Sequence, residues 1–316
     1  AGSPTTLTGR VTIPAGTLPL YNANVYIPSA EVPSAPISGP SCDRCEQIVP
    51  LDVAAKTTTD VDGTFTDGPA STSQLAIIDW HLMLVYPYDT TRPAPTDSLT
   101  YTASLKLPKG WRCGGALARA GESPDAISFA PTSLTMLVDH PVLIGAHYRD
   151  LNLTPGSTPE HHIDVVADSD AALAIPDARL SHYTSLIAET ATLFGARRYQ
   201  NYHFLLSLSD HTTHFGLEHH ECSDDRQAET FLTDDDTHRS DAALLSHEYV
   251  HSWNGKFRRP AGMATPDFQQ PMKDHLIWVY EGLTEYYGDI LAVRCGNWTP
   301  DEYRDYLART AATLDH

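Results

Sequence analysis

Two histidines four residues apart with an acid beside the first, His247-Glu248-Tyr249-Val250-His251, are the residues of this 316-residue chain best suited to chemistry. On an α-helix, side chains four apart stand one above the other, their Cβ atoms about 5–6 Å apart. Both imidazoles can then reach one zinc ion at about 2.0–2.1 Å, with Glu248 projecting toward the open position of the ion. Read alone, the five-residue string fits equally well a surface helix carrying two solvated histidines. A third ligand tips the choice. Trp278-Val279-Tyr280-Glu281-Gly282 sets an acid in an apolar, aromatic stretch at the start of a long helix. A buried carboxylate there is costly unless paired or metal-bound. Glu281 completes a His₂Glu set that leaves one position for water, the pattern of a catalytic rather than a structural zinc. Glu285, one helical turn on, either orients a ligand histidine or is a solvated acid.

The elements that must position these side chains are legible as changes of period. Ser240-Asp241 is predicted to cap a helix running to about residue 255, with 242–245 as its apolar base. Asp274 opens a second helix that stops at Cys295-Gly296, and Thr299-Pro300-Asp301-Glu302 is a capping box that opens a third. Upstream, Pro176 starts a helix in which Leu180, Tyr183, Ile187, Ala191 and Phe194 recur at helical spacing up to Gly195. A strand is expected at 202–208, and Asp234-Asp235-Asp236 reads as a solvated loop. Before residue 170 the period is two. Strands are predicted at 7–13, 23–27, 82–86, 100–107, 133–138, 142–149 and 162–167. A hairpin is predicted over 57–66 around Asp62-Gly63, and a Pro/Ser-rich surface loop over 28–40. Asp60 and Asp62 lack the further oxygen ligands of a calcium loop. The fold class is α+β: a β-rich N-terminal region, then a mixed, helix-dominated unit.

Composition excludes whole classes of function. Lysine plus arginine number 21 against 40 aspartate plus glutamate, so 21 − 40 leaves a net charge of −19. Such a chain lacks the basic footprint of a nucleic-acid binder or of a polybasic membrane-surface protein. No run approaches the roughly 18 apolar residues of a membrane span. The best, 75–86, is broken by Asp79 and His81. Of the five cysteines, Cys42 and Cys45 form a C-x-x-C, while Cys113, Cys222 and Cys295 are scattered. With no second C-x-x-C, a local disulfide or two free thiols is favoured over a zinc knuckle. The chain starts Ala1-Gly2-Ser3-Pro4 and stops at His316 inside a helical stretch, which suggests a fragment or a processed product.

Two resemblances sharpen this reading. Leu7-Thr8-Gly9-Arg10-Val11, Ala23-Asn24-Val25-Tyr26 and Thr58-Thr59-Asp60-Val61-Asp62-Gly63-Thr64-Phe65 resemble the carboxypeptidase-regulatory-like β-sandwich. The stronger match is downstream. His247-Glu248-Tyr249-Val250-His251-Ser252-Trp253-Asn254-Gly255-Lys256-Phe257-Arg258-Arg259-Pro260, with Trp278-Val279-Tyr280-Glu281-Gly282, resembles the glycyl-aminopeptidase family of zinc metallopeptidases. Phe215-Gly216-Leu217-Glu218-His219-His220 and Pro271-Met272-Lys273 resemble it too, as do upstream Leu84-Val85-Tyr86-Pro87, Leu107-Pro108-Lys109-Gly110-Trp111 and Leu137-Val138-Asp139-His140-Pro141-Val142.

This resemblance implies a thermolysin-like catalytic unit holding one Zn²⁺ on His247, His251 and Glu281, with Glu248 as general base. It implies hydrolysis of N-terminal residues, small ones such as Gly or Ala, from a peptide substrate. In the similar alanyl-aminopeptidase group, a Gly-x-x-Glu edge strand precedes the zinc helix and its glutamate grips the substrate amine. Gly216-Leu217-Glu218 occupies that place, which gives Glu218 the amine-anchor role, against the alternative of an acid in a histidine-rich loop. The domains expected are then 1–72 regulatory-like, 73–172 a partial peptidase β domain, and 173–316 a truncated catalytic domain. The family often carries a PDZ domain and places an oxyanion-stabilising tyrosine further downstream. Both fall past His316, so this chain alone is expected to be poorly active. The appended sandwich suggests export to the periplasm or the cell exterior. Two other functions fit the sequence: a zinc endopeptidase, and a surface β-sandwich binding protein with an incomplete peptidase unit.

Overall fold

The computed structural model describes residues 8–10, 24–28, 53–58, 64–66, 71–82, 84, 86 and 95–314. Cys42, Cys45, Asp60, Asp62 and residues 29–40 lie outside them. The chain divides into two units, one made of Ser3–Pro69 and His81–Val85, the other of Ala1–Gly2, Ala70–Trp80 and Tyr86–His316.

In the smaller unit, β1 (Thr8–Arg10) pairs antiparallel with β4 (Thr64–Thr66), and β2 (Asn24–Pro28) with β3 (Val53–Thr58). The 57–66 hairpin is not what forms among the described residues. Its two arms, β3 and β4, each pair with a strand distant in sequence, and these long-range ladders override the local turn signal.

The larger unit opens with β5 (Leu75–Ile78), β6 (Thr100–Tyr101), β7 (Ser104–Lys106), β8 (Arg112–Gly114), β9 (Arg119–Ser123), β10 (Ala126–Phe129) and β11 (Thr132–Ser133). Next comes α1 (Leu134–Val138), where a strand is predicted. The Ser133 side chain accepts a hydrogen bond from the Met136 N–H, and this cap holds the five residues as a helical turn. Residues 80–82 likewise form a 3₁₀ turn where the 82–86 strand should begin. The run 142–149 is two strands, β12 (Val142–Gly145) and β13 (His147–Asn152).

The framework of the unit is a five-stranded sheet in the order β13, β14 (His161–Ala167), β15 (Tyr202–Leu208), β17 (Cys222–Gln227), β16 (Phe215–Glu218). Strands β14, β15 and β17 are parallel, whereas β13 and β16 are antiparallel edges. Buried on both faces, β14 and β15 show near-continuous apolar runs rather than alternation. One face packs Ile163, Val165, Phe204 and Leu206 against Tyr183, Leu186 and Ile187 of α2 (Asp177–Phe194) and against the later helices. The other packs Val166, Leu205 and Cys222 against Leu75, Ile77 and Leu143 of the β5–β12–β8 sheet. Helix α2 joins β14 to β15 and ends at Gly195, whose φ of 74° suits glycine.

Helices α3 (Asp235–Ser240), α4 (Leu244–Val250), α5 (Ile277–Cys295) and α6 (Pro300–Leu314) complete the unit. The Asp234–Asp236 run is a helix start, not a loop: the Asp234 carboxylate accepts from the Thr237 N–H. Ser240 consequently ends α3 instead of capping α4, and α4 stops at Val250, short of residue 255. The capping box of α6 forms as expected, with Glu302 accepting from Thr299 and Thr299 Oγ accepting from the Glu302 N–H.

Candidate active site

At seven residues, α4 is too short to be stable alone and owes its form to what lies beneath it. Leu245, Tyr249 and Val250 are buried in the core formed by the sheet, α2 and α5. The Tyr249 ring packs edge-on to Tyr202 at 4.6 Å and to Phe204 at 5.3 Å, and its hydroxyl bonds that of Tyr199. Tyr199 bonds in turn to His161 Nε2 at 2.9 Å. This fixes which face of α4 points away from the core, and that face carries His247 and His251. His251 sits at the C-cap yet keeps helical dihedrals (φ −59°, ψ −23°), so the four-residue spacing still aligns the two rings.

Both rings are turned by partners on Nδ1, which leaves each Nε2 facing the same point. His247 Nδ1 lies 2.9 Å from Glu285 Oε2, and Glu285 is braced by the Tyr306 hydroxyl of α6 at 2.6 Å. Glu285 thus has the orienting geometry and is not a free acid. His251 Nδ1 lies 3.0 Å from the Asn254 carbonyl oxygen. The Asn254 amide meanwhile donates to Val279 O, Tyr280 O and Thr284 Oγ1 at 3.0, 3.0 and 2.9 Å, tying the turn after α4 to the first turns of α5. That link aims Glu281 at the histidines.

The three candidate ligand atoms form a nearly equilateral triangle. His251 Nε2 is 3.2 Å from His247 Nε2, and Glu281 Oε2 is 3.5 and 3.4 Å from the two. Ligand atoms of a tetrahedral zinc bound at about 2.0–2.1 Å stand about 3.3–3.4 Å apart, so these side chains fit the ion without rearrangement. Contrary to what its apolar neighbours in sequence predict, Glu281 is not buried. The Glu281 side chain is 49% exposed, because the first turns of α5 face outward with Ile277 and Trp278. Geometry, not the cost of a buried charge, supports its role. Without an ion, burial lowers the His247 pKa but the Glu281 and Glu285 carboxylates outweigh it and raise it to about 10. Hydrogen bonds from His247 and His251 bring Glu281 down to about 2.

Glu248 turns the other way, under edge strand β16, and is buried. A Cβ on Gly216 would lie 2.1 Å from Glu248 Oε1, so the strand must carry glycine where it crosses this carboxylate. Gly288 plays the matching part behind α4, where a Cβ would come within 2.8 Å of His247 Cα. Burial raises the Glu248 pKa well above the usual carboxylate range; His247 opposes this, while Asp225, Glu218 and Glu281 add to it.

Glu218 lies on β16 beside the cluster, its ligand atom within 4.8 Å of those of Glu248 and His251. Two neighbours that the sequence reading did not single out flank it, and a third, Asp139, stands behind one of them. The Tyr280 hydroxyl donates to Glu218 Oε1 while its ring lies 4.8 Å from that of His251. Lys256 Nζ stands 3.9 Å from the same oxygen and 3.1 Å from Asp139 Oδ1. Asp139, just after α1, also accepts from the His220 N–H at 2.7 Å and faces the Nδ1 atoms of His219 and His220. The two histidines therefore belong to the support of the edge strand and not to the metal cluster. Burial works against ionisation of Glu218, but Lys256, His251 and Tyr280 hold its pKa below the ordinary value. Cys222 is buried and its thiol pKa is raised by burial, which leaves it inert.

No protein of curated function matches this sequence. Among solved structures, it is similar to an aminopeptidase N family protein from Idiomarina loihiensis, with a TM-score of 0.51 and 22% identity over 66% of this chain and 36% of that one. It is also similar to an M1 zinc metallopeptidase from Deinococcus radiodurans, with a TM-score of 0.42 and 16% identity over 69% of this chain and 45% of that one. The chain thus spans less than half the length of either, and at 22% identity the first likeness is one of fold. Residues 49–146, a stretch that takes in β3 and β4, match the M61 peptidase N-terminal domain. Residues 240–316, which carry His247, His251, Glu281 and Glu248, match the family described as M61 glycyl aminopeptidase.

Proposed function

We propose that this chain carries the catalytic site of a zinc-dependent aminopeptidase of the glycyl-aminopeptidase kind, acting on the free N-terminus of peptides. The observation that carries the reading is the triangle of His247, His251 and Glu281 ligand atoms, with edges of 3.2–3.5 Å beside a buried glutamate. When bound there, zinc supplies Lewis acidity to water and to a peptide carbonyl. The Nδ1 atoms of His247 and His251 are committed to Glu285 and the Asn254 carbonyl, which leaves both Nε2 atoms to hold the ion. Glu248, held between α4 and Gly216, is placed to take a proton from water and pass it to the leaving amine. Glu218 accepts the substrate's α-ammonium group, which is largely protonated below its pKa of about 8. The preference for small first residues, the regulatory-like reading of 1–72, the boundaries near 73 and 173, and an exported location belong to the same proposal.

The test pairs metal analysis with two substrates. The metal-free chain should take up one zinc per molecule, and His247→Ala should abolish uptake. A free-amine aminoacyl reporter should be cleaved faster than its N-acetylated form. Equal rates on the two would point instead to an endopeptidase. Stoichiometric zinc with neither substrate cleaved would favour the binding-protein reading.

A further inference from the structure

A cation of the protein's own stands at the place where the substrate's ammonium group is read to bind. Lys256 Nζ lies 3.9 Å from Glu218 Oε1, and both side chains are largely shielded from water. On its other side Lys256 Nζ lies 3.1 Å from Asp139 Oδ1. Asp139 is itself held by the His220 N–H and the two histidine rings, all on the segment that follows β16. Lys256 is tethered from behind as well: it follows Gly255 in the turn after α4, and its N–H donates to the His251 carbonyl at 3.0 Å. A flexible ammonium group between two carboxylates divides itself by distance and charge.

We infer that Asp139 is a positioning residue for amine recognition: it holds Lys256 back from Glu218 and so leaves the anchor carboxylate open to the ammonium group of a peptide. This rests on the amine-anchor reading of Glu218. With Asp139 present, the three side chains carry a net charge of −1, which one substrate ammonium neutralises. Without the Asp139 charge, Lys256 has Glu218 as its nearest acid, and a partly buried pair of this kind excludes a second cation. Lys256 also sets a positive charge beside the bound amine, so its removal should favour a cationic ligand.

The probe is L-alaninamide, with N-acetyl-L-alaninamide as the neutral control, binding to the zinc-loaded full chain at pH 6.5 and read by NMR titration. Asp139→Asn should weaken alaninamide binding roughly tenfold or more. Lys256→Met should tighten it, and the double variant should follow Lys256→Met, which a merely structural role for Asp139 would not produce. An unchanged dissociation constant in Asp139→Asn, or weaker binding in Lys256→Met, overturns the inference. If Asp139→Asn does not fold, Lys256→Met decides: tighter binding supports the inference, and unchanged or weaker binding overturns it. A wild-type chain that does not prefer alaninamide to its acetylated form removes the anchor role of Glu218 and this inference with it. A wild-type preference that neither variant alters removes this inference alone.

Discussion

Replacing Glu285 by glutamine changes one atom and leaves the shape of the site intact. In the native site, one Glu285 oxygen faces His247 Nδ1 at 2.9 Å and the other accepts the Tyr306 hydroxyl at 2.6 Å. A glutamine can still accept from His247 and donate its amide to the Tyr306 oxygen, but neither bond then involves a charged carboxylate. A hydrogen bond to a charged group contributes about 1.5–3 kcal/mol and a neutral one about 0.5–1.5 kcal/mol, so the exchange removes about 1–1.5 kcal/mol. Glu285 is 48% exposed, and solvent screening places the effect toward the lower end. At 1.4 kcal/mol per tenfold, zinc affinity should fall about five- to tenfold. The assay is chelator competition at pH 7.5 on wild type, Glu285→Gln and Tyr306→Phe. The last keeps the carboxylate on His247 and should lose less affinity than Glu285→Gln. Identical zinc affinity in Glu285→Gln and wild type would refute the orienting role, as would a larger loss in Tyr306→Phe.

Three further outcomes follow from the same geometry. Glu248→Gln should bind zinc like wild type while hydrolysis falls by about 10²–10⁴, the usual worth of a positioned general base; wild-type turnover would remove Glu248 from that role. Gly216→Ala places a methyl group against the Glu248 carboxylate, so activity should fall sharply with zinc retained and with about 1–3 kcal/mol lost from stability. Full activity in Gly216→Ala, measured beside its melting curve, would show that β16 can yield there. Burial lowers the pKa of His161 to about 4 and of His238 to about 3, so both stay neutral in the fold while the unfolded chain protonates near 6.5. Stability held above pH 6.5 is therefore lost as pH falls toward 4, by about 1.4 kcal/mol per histidine between pH 7.5 and 5.5. His238→Gln should show a smaller drop than wild type across that interval in urea titrations, and an equal drop would contradict the assignment.

The candidate ligand cluster was legible because its spacing is local: His247 and His251 share one helical repeat, and Glu281 with Glu285 shares another. The capping box at Thr299 and the glycine stops at 195 and 296 were readable for the same reason, since each is settled within four residues. What could not be read is what distant segments settle. Whether β4 pairs with β3 or β1 depends on residues some fifty positions away, and no turn signal reports that. Ser133 as a cap looked like strand because Thr132–Val138 is rich in residues that suit either state. The break between α3 and α4 was hidden because Ser240-Asp241 reads equally well as a start or a stop. Asn254, Lys256 and Tyr280 stood inside the recognised motifs without a role, since only the fold shows that one clamps α5 and the others face Glu218. Asp139 gave no signal at all beyond its place in a matching segment.

The brevity of α4 has a thermodynamic corollary. A helix of about two turns that exists only because tyrosines and leucines hold it from below makes ion capture and interior order two readings of one equilibrium. Buffering free zinc should therefore move the melting temperature, and damage deep in the aromatic stack should register as a leakier grip on the ion before any loss of secondary structure is seen.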